Sequence, residues 1–163
     1  MPSFRVTRRV AHSPDNMFAL VADVEAYPQF LPLCQGLRVR RRTPGAEGRE
    51  VIIADMDVGY KNIRETFGSR VTLDKPARRI LVEYIDGPFR RLENVWNFRE
   101  EPRANGAPGC VVEFFIDYEF RSRMLGLLMG SMFDTAFRKF AEAFERRADQ
   151  IYGAGGGSRA IGS

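Results

Sequence analysis

Val111-Val112-Glu113-Phe114-Phe115-Ile116-Asp117-Tyr118-Glu119-Phe120, followed by a proline-free run from Ser122 to Tyr152, is the stretch whose reading decides the fold. In the first part Val112, Phe114, Ile116, Tyr118 and Phe120 alternate with Glu113, Asp117 and Glu119, the period of a strand with one buried face. In the second, Leu125, Met129, Met132, Phe133, Ala136, Phe137, Phe140, Phe144, Ala148 and Ile151 recur at helical spacing, while Arg123, Arg138, Lys139, Glu142, Glu145, Arg146 and Arg147 take the other face. At about 1.5 Å per residue the run predicts one helix of roughly 45 Å, long enough to cross a whole sheet. An apolar sheet face and an apolar helix stripe must each bury the other.

Upstream, the period-two pattern begins at Leu37. It predicts strands from Arg38 to Thr43, Arg49 to Val58, Asn62 to Leu73, Arg79 to Ile85 and Arg90 to Arg99, before the Val111 to Phe120 strand. Pro44-Gly45, Gly59, Asp74-Lys75-Pro76, Asp86-Gly87-Pro88 and the 102–109 loop punctuate them, and links this short imply an antiparallel meander. Phe4 to Val10 reads as a further, half-buried strand. Ser13 then caps a short helix with Pro14 at its first position and Met17, Phe18, Val21 and Val24 on one face. Tyr27-Pro28-Gln29-Phe30-Leu31-Pro32-Leu33-Cys34 predicts a kinked turn or second short helix that caps something apolar. The expected fold class is α+β: a curved antiparallel sheet wrapped around a long C-terminal helix, with two short helices after the first strand. The domain is expected over 1–153 and a disordered, Gly-rich tail over 154–163.

At 163 residues the chain suits one domain, and 44% apolar with 28% charged residues suits an ordered one. Twenty-five Lys and Arg against 21 Asp and Glu leave a net charge of +4, which permits contact with phosphate-rich surfaces without demanding it. There is no apolar run of about 18 residues, and Met1 to Arg9 lacks the apolar stretch of a signal peptide. The expected location is cytoplasmic, peripheral to the inner membrane if the source is bacterial. Isolated Cys34 and Cys110 and the single His12 supply neither a disulfide framework nor a zinc set, so no metal is expected.

Thirteen Phe are more aromatic bulk than a sheet and a few helices need to close a core. The inward faces of the strands carry few polar groups: Glu65, Ser69, Asn94 and the hydroxyls of Tyr84 and Tyr118. That composition fits a small-molecule cavity, and equally a packed core with Glu65 at its rim. For Arg79 to Ile85 the pattern leaves open whether Ile80, Val82 and Tyr84 or Leu81 and Ile85 face inward.

Several segments together resemble the coenzyme Q-binding protein family of the START-like (SRPBCC, polyketide cyclase/dehydrase-like) superfamily, which also includes the bacterial ribosome association toxins. They are the Tyr27 to Cys34 motif, Arg64-Glu65-Thr66-Phe67 with Ser69-Arg70-Val71, Gly87-Pro88-Phe89 with Trp96 and Phe98, Val112 to Phe120, and Ala143-Phe144-Glu145-Arg146-Arg147-Ala148. Leu33 departs from the pattern, since many relatives carry an aromatic there. The resemblance implies a helix-grip fold and binding of ubiquinone or a similar polyprenyl lipid between sheet and helix, as a carrier or chaperone supporting respiratory electron transport. It implies no catalytic residues, and no cofactor beyond ubiquinone as ligand.

On that reading Phe30, Leu31, Phe67, Val71, Trp96, Phe98, Met129, Phe133 and Phe137 are the expected tail contacts. Glu65 and Tyr118 are candidates for the quinone head, Glu65 alternatively for a neighbouring Arg. Burying about ten methylene equivalents at roughly 0.8 kcal/mol each gives about 8 kcal/mol before ordering costs, enough for about micromolar binding. An enzyme of the cyclase or dehydratase type would need an acid or base, for which Glu65, His12 and Asp55 are the candidates. His12 is expected at the surface, and Asp55 and Asp57 toward solvent. A third reading is a ribosome or anionic-membrane partner that uses the basic run Arg38, Arg40, Arg41 and Arg42, with Arg78-Arg79 and Arg90-Arg91. Met124 to Gly130, apolar nearly all round, is a candidate gate, and a monomer is expected.

Overall fold

A computed structural model describes residues 3–153. The tail expected at 154–163 lies outside the described residues. Seven strands, β1 (Ser3–Val10), β2 (Cys34–Pro44), β3 (Arg49–Tyr60), β4 (Ile63–Asp74), β5 (Arg79–Asp86), β6 (Phe89–Glu100) and β7 (Cys110–Phe120), form one sheet. Its spatial order is β1-β7-β6-β5-β4-β3-β2, every neighbouring pair is antiparallel, and β1 and β2 are its two edges. β2 to β7 thus form the expected meander, while β1 returns to pair with β7 across α1 (Pro14–Ala22) and a 3-10 helix at Val24–Gln29. Ser13 caps α1 by accepting from the Asn16 N–H at 3.1 Å.

The alternation read from the sequence places the core. Phe67, Ser69, Val71 and Leu73 of β4, Leu92, Trp96 and Phe98 of β6, and Val112, Phe114, Ile116 and Tyr118 of β7 are all buried on the concave face. On β5 the choice falls to Ile80, which is buried, with Val82 and Tyr84 partly buried beside it; Ile85 is exposed. The opposite face carries charge pairs: Arg38–Asp57 at 2.7 Å, Arg40–Asp55 at 3.0 Å, Arg91–Asp117 at 2.9 Å and Arg99–Glu113 at 3.1 Å. The Arg38 guanidinium, and then the Thr66 hydroxyl, hold the Asp57 carboxyl below the usual carboxylate range. Gly87 closes the β5–β6 turn at φ 137°, where a side chain is strained, and a Cβ there would come within 2.6 Å of the Phe67 Cβ.

The long helix is two helices, a correction to the single rod expected from the sequence. α2 (Arg123–Arg138) and α3 (Phe140–Tyr152) meet at Lys139, whose N–H closes α2 on the Ala136 carbonyl at 3.0 Å, an i to i−3 bond. The apolar stripe runs on across the break without interruption, which is why the sequence gives no sign of it. α3 then packs Phe144 against Trp96 and Tyr27, with ring centroids at 5.1 and 5.3 Å.

One further expectation is corrected. His12 is not at the surface: its side chain is 1% exposed, and its Nε2 lies 2.7 Å from the Asp149 carboxylate of α3. Phe89, directly after the Gly87-Pro88 turn, is fully buried. It stacks on Phe120 at 4.8 Å and meets Phe67 at 5.5 Å and Phe133 at 5.9 Å.

Because Phe144 joins α3 to both the sheet and the Tyr27 segment, Phe144→Ala is expected to cost about 3–5 kcal/mol of unfolding free energy. Urea denaturation followed by circular dichroism reads the loss.

Candidate functional site

Between the concave sheet face and the helices lies an apolar cavity of about 80 Å³. The floor is inward side chains from six strands: Leu37 of β2, Ala54, Met56 and Val58 of β3, Phe67, Ser69 and Val71 of β4, Val82 of β5, Leu92, Asn94 and Trp96 of β6, and Ile116 of β7. Phe133, Ala136 and Phe137 of α2 with Phe140 and Phe144 of α3 form the roof, and Tyr27, Leu31, Pro32 and Leu33 close one side. The break at Lys139 thus falls within the roof. Leu33 holds a left-handed backbone at φ 67°, and its carbonyl accepts from the Gly59 N–H at 3.0 Å, which ties the closing loop to β3.

Nearly every polar atom at the wall is already engaged. Asn94 donates to the Phe115 carbonyl at 2.8 Å and accepts from the Trp96 indole N–H at 2.9 Å. The Tyr27 hydroxyl donates to the Val21 carbonyl, and burial pushes its pKa above the usual phenol value. Ser69 is the buried wall residue whose hydroxyl makes no hydrogen bond among the described residues. Such a wall binds by apolar contact and can offer a ligand one hydroxyl.

Of the eleven residues expected to bind a ligand, six line this cavity: Leu31, Phe67, Val71, Trp96, Phe133 and Phe137. Five do not. Phe30 packs outside, edge-on to Phe144 at 5.1 Å and beneath the Arg147 guanidinium. Phe98 is inward but spent on Phe18, at 5.8 Å, and on Trp96. Met129 is buried in α2 away from the cavity. Tyr118 is buried 5.0 Å from the Phe137 ring and borders a separate, shallow groove between β7 and α2, together with Gly126 and Gly130. Burial pushes its phenol up to about 12. Glu65 is half-buried, outside the cavity wall, and has no ion pair with a neighbouring Arg among the described residues. Tyr27, Phe140 and Phe144 were not expected at the cavity. All three carried a sequence signal, the Tyr27 to Cys34 motif and the helical stripe.

The acid–base candidates stand apart. His12 faces Asp149, Asp55 pairs with Arg40 on the opposite sheet face, and no carboxylate or imidazole lines the cavity among the described residues. The basic run is largely balanced: Arg38 pairs with Asp57, Arg40 with Asp55, and Arg42 with Glu25 and Glu50 at 3.2 and 3.4 Å. Arg41 is exposed without an ion pair among the described residues. No group of three or more His, Cys, Asp or Glu that could hold a metal ion occurs among the described residues.

Known proteins bear on this geometry. A family model described as polyketide cyclase / dehydrase and lipid transport matches residues 10–145. The ribosome association toxin RatA of Escherichia coli K12 is 36% identical over 154 residues, covering 94% of this chain and 91% of that protein. A mitochondrial coenzyme Q-binding protein homologue of Xenopus laevis is 32% identical over 143 residues, covering 86% of this chain and 55% of that protein. The solution structure of an 18 kDa protein from Caulobacter crescentus superposes with a TM-score of 0.73 at 37% identity, covering 94% of this chain and 100% of that one. The Zhui aromatase/cyclase of Streptomyces shares the fold with a TM-score of 0.66 at 18% identity, covering 91% and 94%.

Two outcomes follow from the geometry. Asn94→Leu strands the Trp96 indole N–H and is expected to destabilise the fold by about 1–3 kcal/mol, measured by urea denaturation with Trp96 emission as a second readout. Burial pushes the Cys34 thiol up to about 11. At pH 8 only about a thousandth of it is then thiolate, so iodoacetamide labelling is expected to be slow in the folded protein and fast in denaturant.

Proposed function

Because the chain belongs to the polyketide cyclase / dehydrase and lipid transport family, we propose that it binds a polyprenyl lipid of the ubiquinone class between sheet and helices, as a carrier and not a catalyst. The observation that carries this reading is the cavity wall itself. It is aromatic and aliphatic, its amide and indole groups are mutually satisfied, and it contains no proton-transfer carboxylate or imidazole among the described residues. Apolar contact is then the available source of affinity, which suits a long hydrocarbon tail. The coenzyme Q-binding relative supports the ligand class.

A cavity of about 80 Å³ is small beside the roughly 300–1,000 Å³ of sites for drug-sized ligands. Binding a prenyl chain therefore requires the roof to move. The break at Lys139 allows α2 to shift while α3 stays anchored through Phe144.

A second reading, association with the ribosome, is favoured by one observation: the RatA relative is more similar than the coenzyme Q-binding relative and is matched over nearly its full length. That reading needs a phosphate-binding surface. Arg38, Arg40 and Arg42 are engaged by carboxylates, which leaves Arg41 of that run for it.

The deciding experiment is organic extraction of protein purified from a quinone-producing host, followed by mass spectrometry, together with titration of the single Trp by a short-chain ubiquinone. Stoichiometric prenyl lipid and saturable quenching of Trp96 are expected. Ala54→Leu, which fills the cavity from β3, is expected to weaken quenching about tenfold, or roughly 1.4 kcal/mol. Absence of both lipid and quenching would sink the lipid reading. Loss of assembled ribosomes on overexpression, unchanged in the Ala54→Leu variant, would favour the second.

A further inference from the structure

We propose that the first two turns of α2 are a docking surface for an anionic lipid bilayer. The proposal rests on the lipid-carrier reading and adds a partner and a place. Met124, Leu127 and Leu128 are 68%, 81% and 58% exposed, a contiguous apolar patch on the side of α2 turned away from the core, while Met129 and Phe133 on the other side are buried. Isolated exposed apolar residues are ordinary, but three within five residues on one helix face make a patch.

Cations frame it. Arg121 and Arg123, at the junction of β7 and α2, are exposed and have no ion pair among the described residues, unlike Arg38, Arg40, Arg42, Arg91 and Arg99. The Arg121 N–H donates to the Pro88 carbonyl at 2.8 Å, which brings the β5–β6 turn and the exposed Arg90, itself 3.8 Å from the Glu119 carboxylate, to the same end of the molecule. The carboxylates along this end are mostly committed: Asp134 to Arg138 at 2.9 Å and Glu119 to Arg91 at 2.6 Å, with Asp86 left exposed beyond the turn.

An apolar helix face bordered by free guanidiniums matches the interface of an anionic membrane, where acyl chains take the apolar side chains and lipid phosphates take the arginines. A second copy of the chain is the poorer occupant, because three side chains fall far short of the roughly 800 Å² per partner of a stable dimer. Position adds to the argument. The same helix supplies Phe133, Ala136 and Phe137 to the cavity roof, so docking would set the movable part of the roof against the lipid.

The test is flotation of the full chain with vesicles of phosphatidylcholine alone and with vesicles that also contain phosphatidylglycerol. Salt-sensitive binding to the second kind only is expected. The double substitution Leu127→Ser with Leu128→Ser, and the pair Arg121→Glu with Arg123→Glu, should each weaken it about tenfold or more. Arg41→Glu should bind like the parent. Thermal melting by circular dichroism checks that the exposed substitutions leave the fold intact. Binding indifferent to the α2 substitutions, equal binding to both vesicle types, or an effect of those substitutions on sedimentation or ribosome co-migration in place of flotation would overturn the proposal. Ala54→Leu separates it from the cavity reading: that variant should show the weakened quinone quenching and still float.

Discussion

Phe144 meets Trp96 edge to face at 5.1 Å, and on that contact the arrangement of the whole molecule depends. A seven-stranded open sheet with one aromatic face cannot stand in water uncovered, and the cover must reach its middle strands. α3 provides it through Phe144, and the Tyr27 ring packs on the same phenyl, so the C-terminal helix, the short helix after α1 and the centre of the sheet form one unit. The His12 side chain, held between the β1–α1 link and Asp149, and the Arg8–Glu145 pair pin the flank of α3 at the β1 edge.

α2 is anchored differently. Of its buried side chains Met129, Phe133, Ala136 and Phe137, three lie in its second half, and its first two turns present Met124, Leu127 and Leu128 to solvent. A helix fixed at one end and separated from α3 by a break is suited to a roof that opens, whereas α3 is suited to holding the fold together meanwhile. The division of labour between the two helices is physical: one buries its stripe against the sheet's central aromatic residues, the other spends part of its apolar surface outside.

The satisfaction of the cavity's polar atoms bears on function more than its size does. Asn94 and Trp96 bond to each other and to the backbone, so the amide and the indole cost little when apolar atoms fill the space beside them. Residues with proton-transfer chemistry sit elsewhere, His12 under α3 and Asp55 on the opposite sheet face, each tied to a partner of opposite charge or hydrogen-bonding complement. The fold is shared with aromatase/cyclases, but a shared fold carries no chemistry of its own.

The sequence by itself determined the strands, their faces except on β5, and the antiparallel order of the meander, because a sheet with one buried face writes itself as strict alternation and a slip of one residue would turn Phe67, Trp96 and Phe114 outward. It also marked the helical stripe, and the ordered motifs pointed to the family. Tertiary structure alone decided the rest. The break at Lys139 leaves the stripe's period unchanged, and which inward residues bound a cavity depends on what fills the space opposite: Trp96 borders the void, while Phe98, two residues along the same face, is taken up by Phe18. Burial of His12 and Phe89 likewise required partners far away in the chain, Asp149 and Phe133, which local pattern does not encode and packing does.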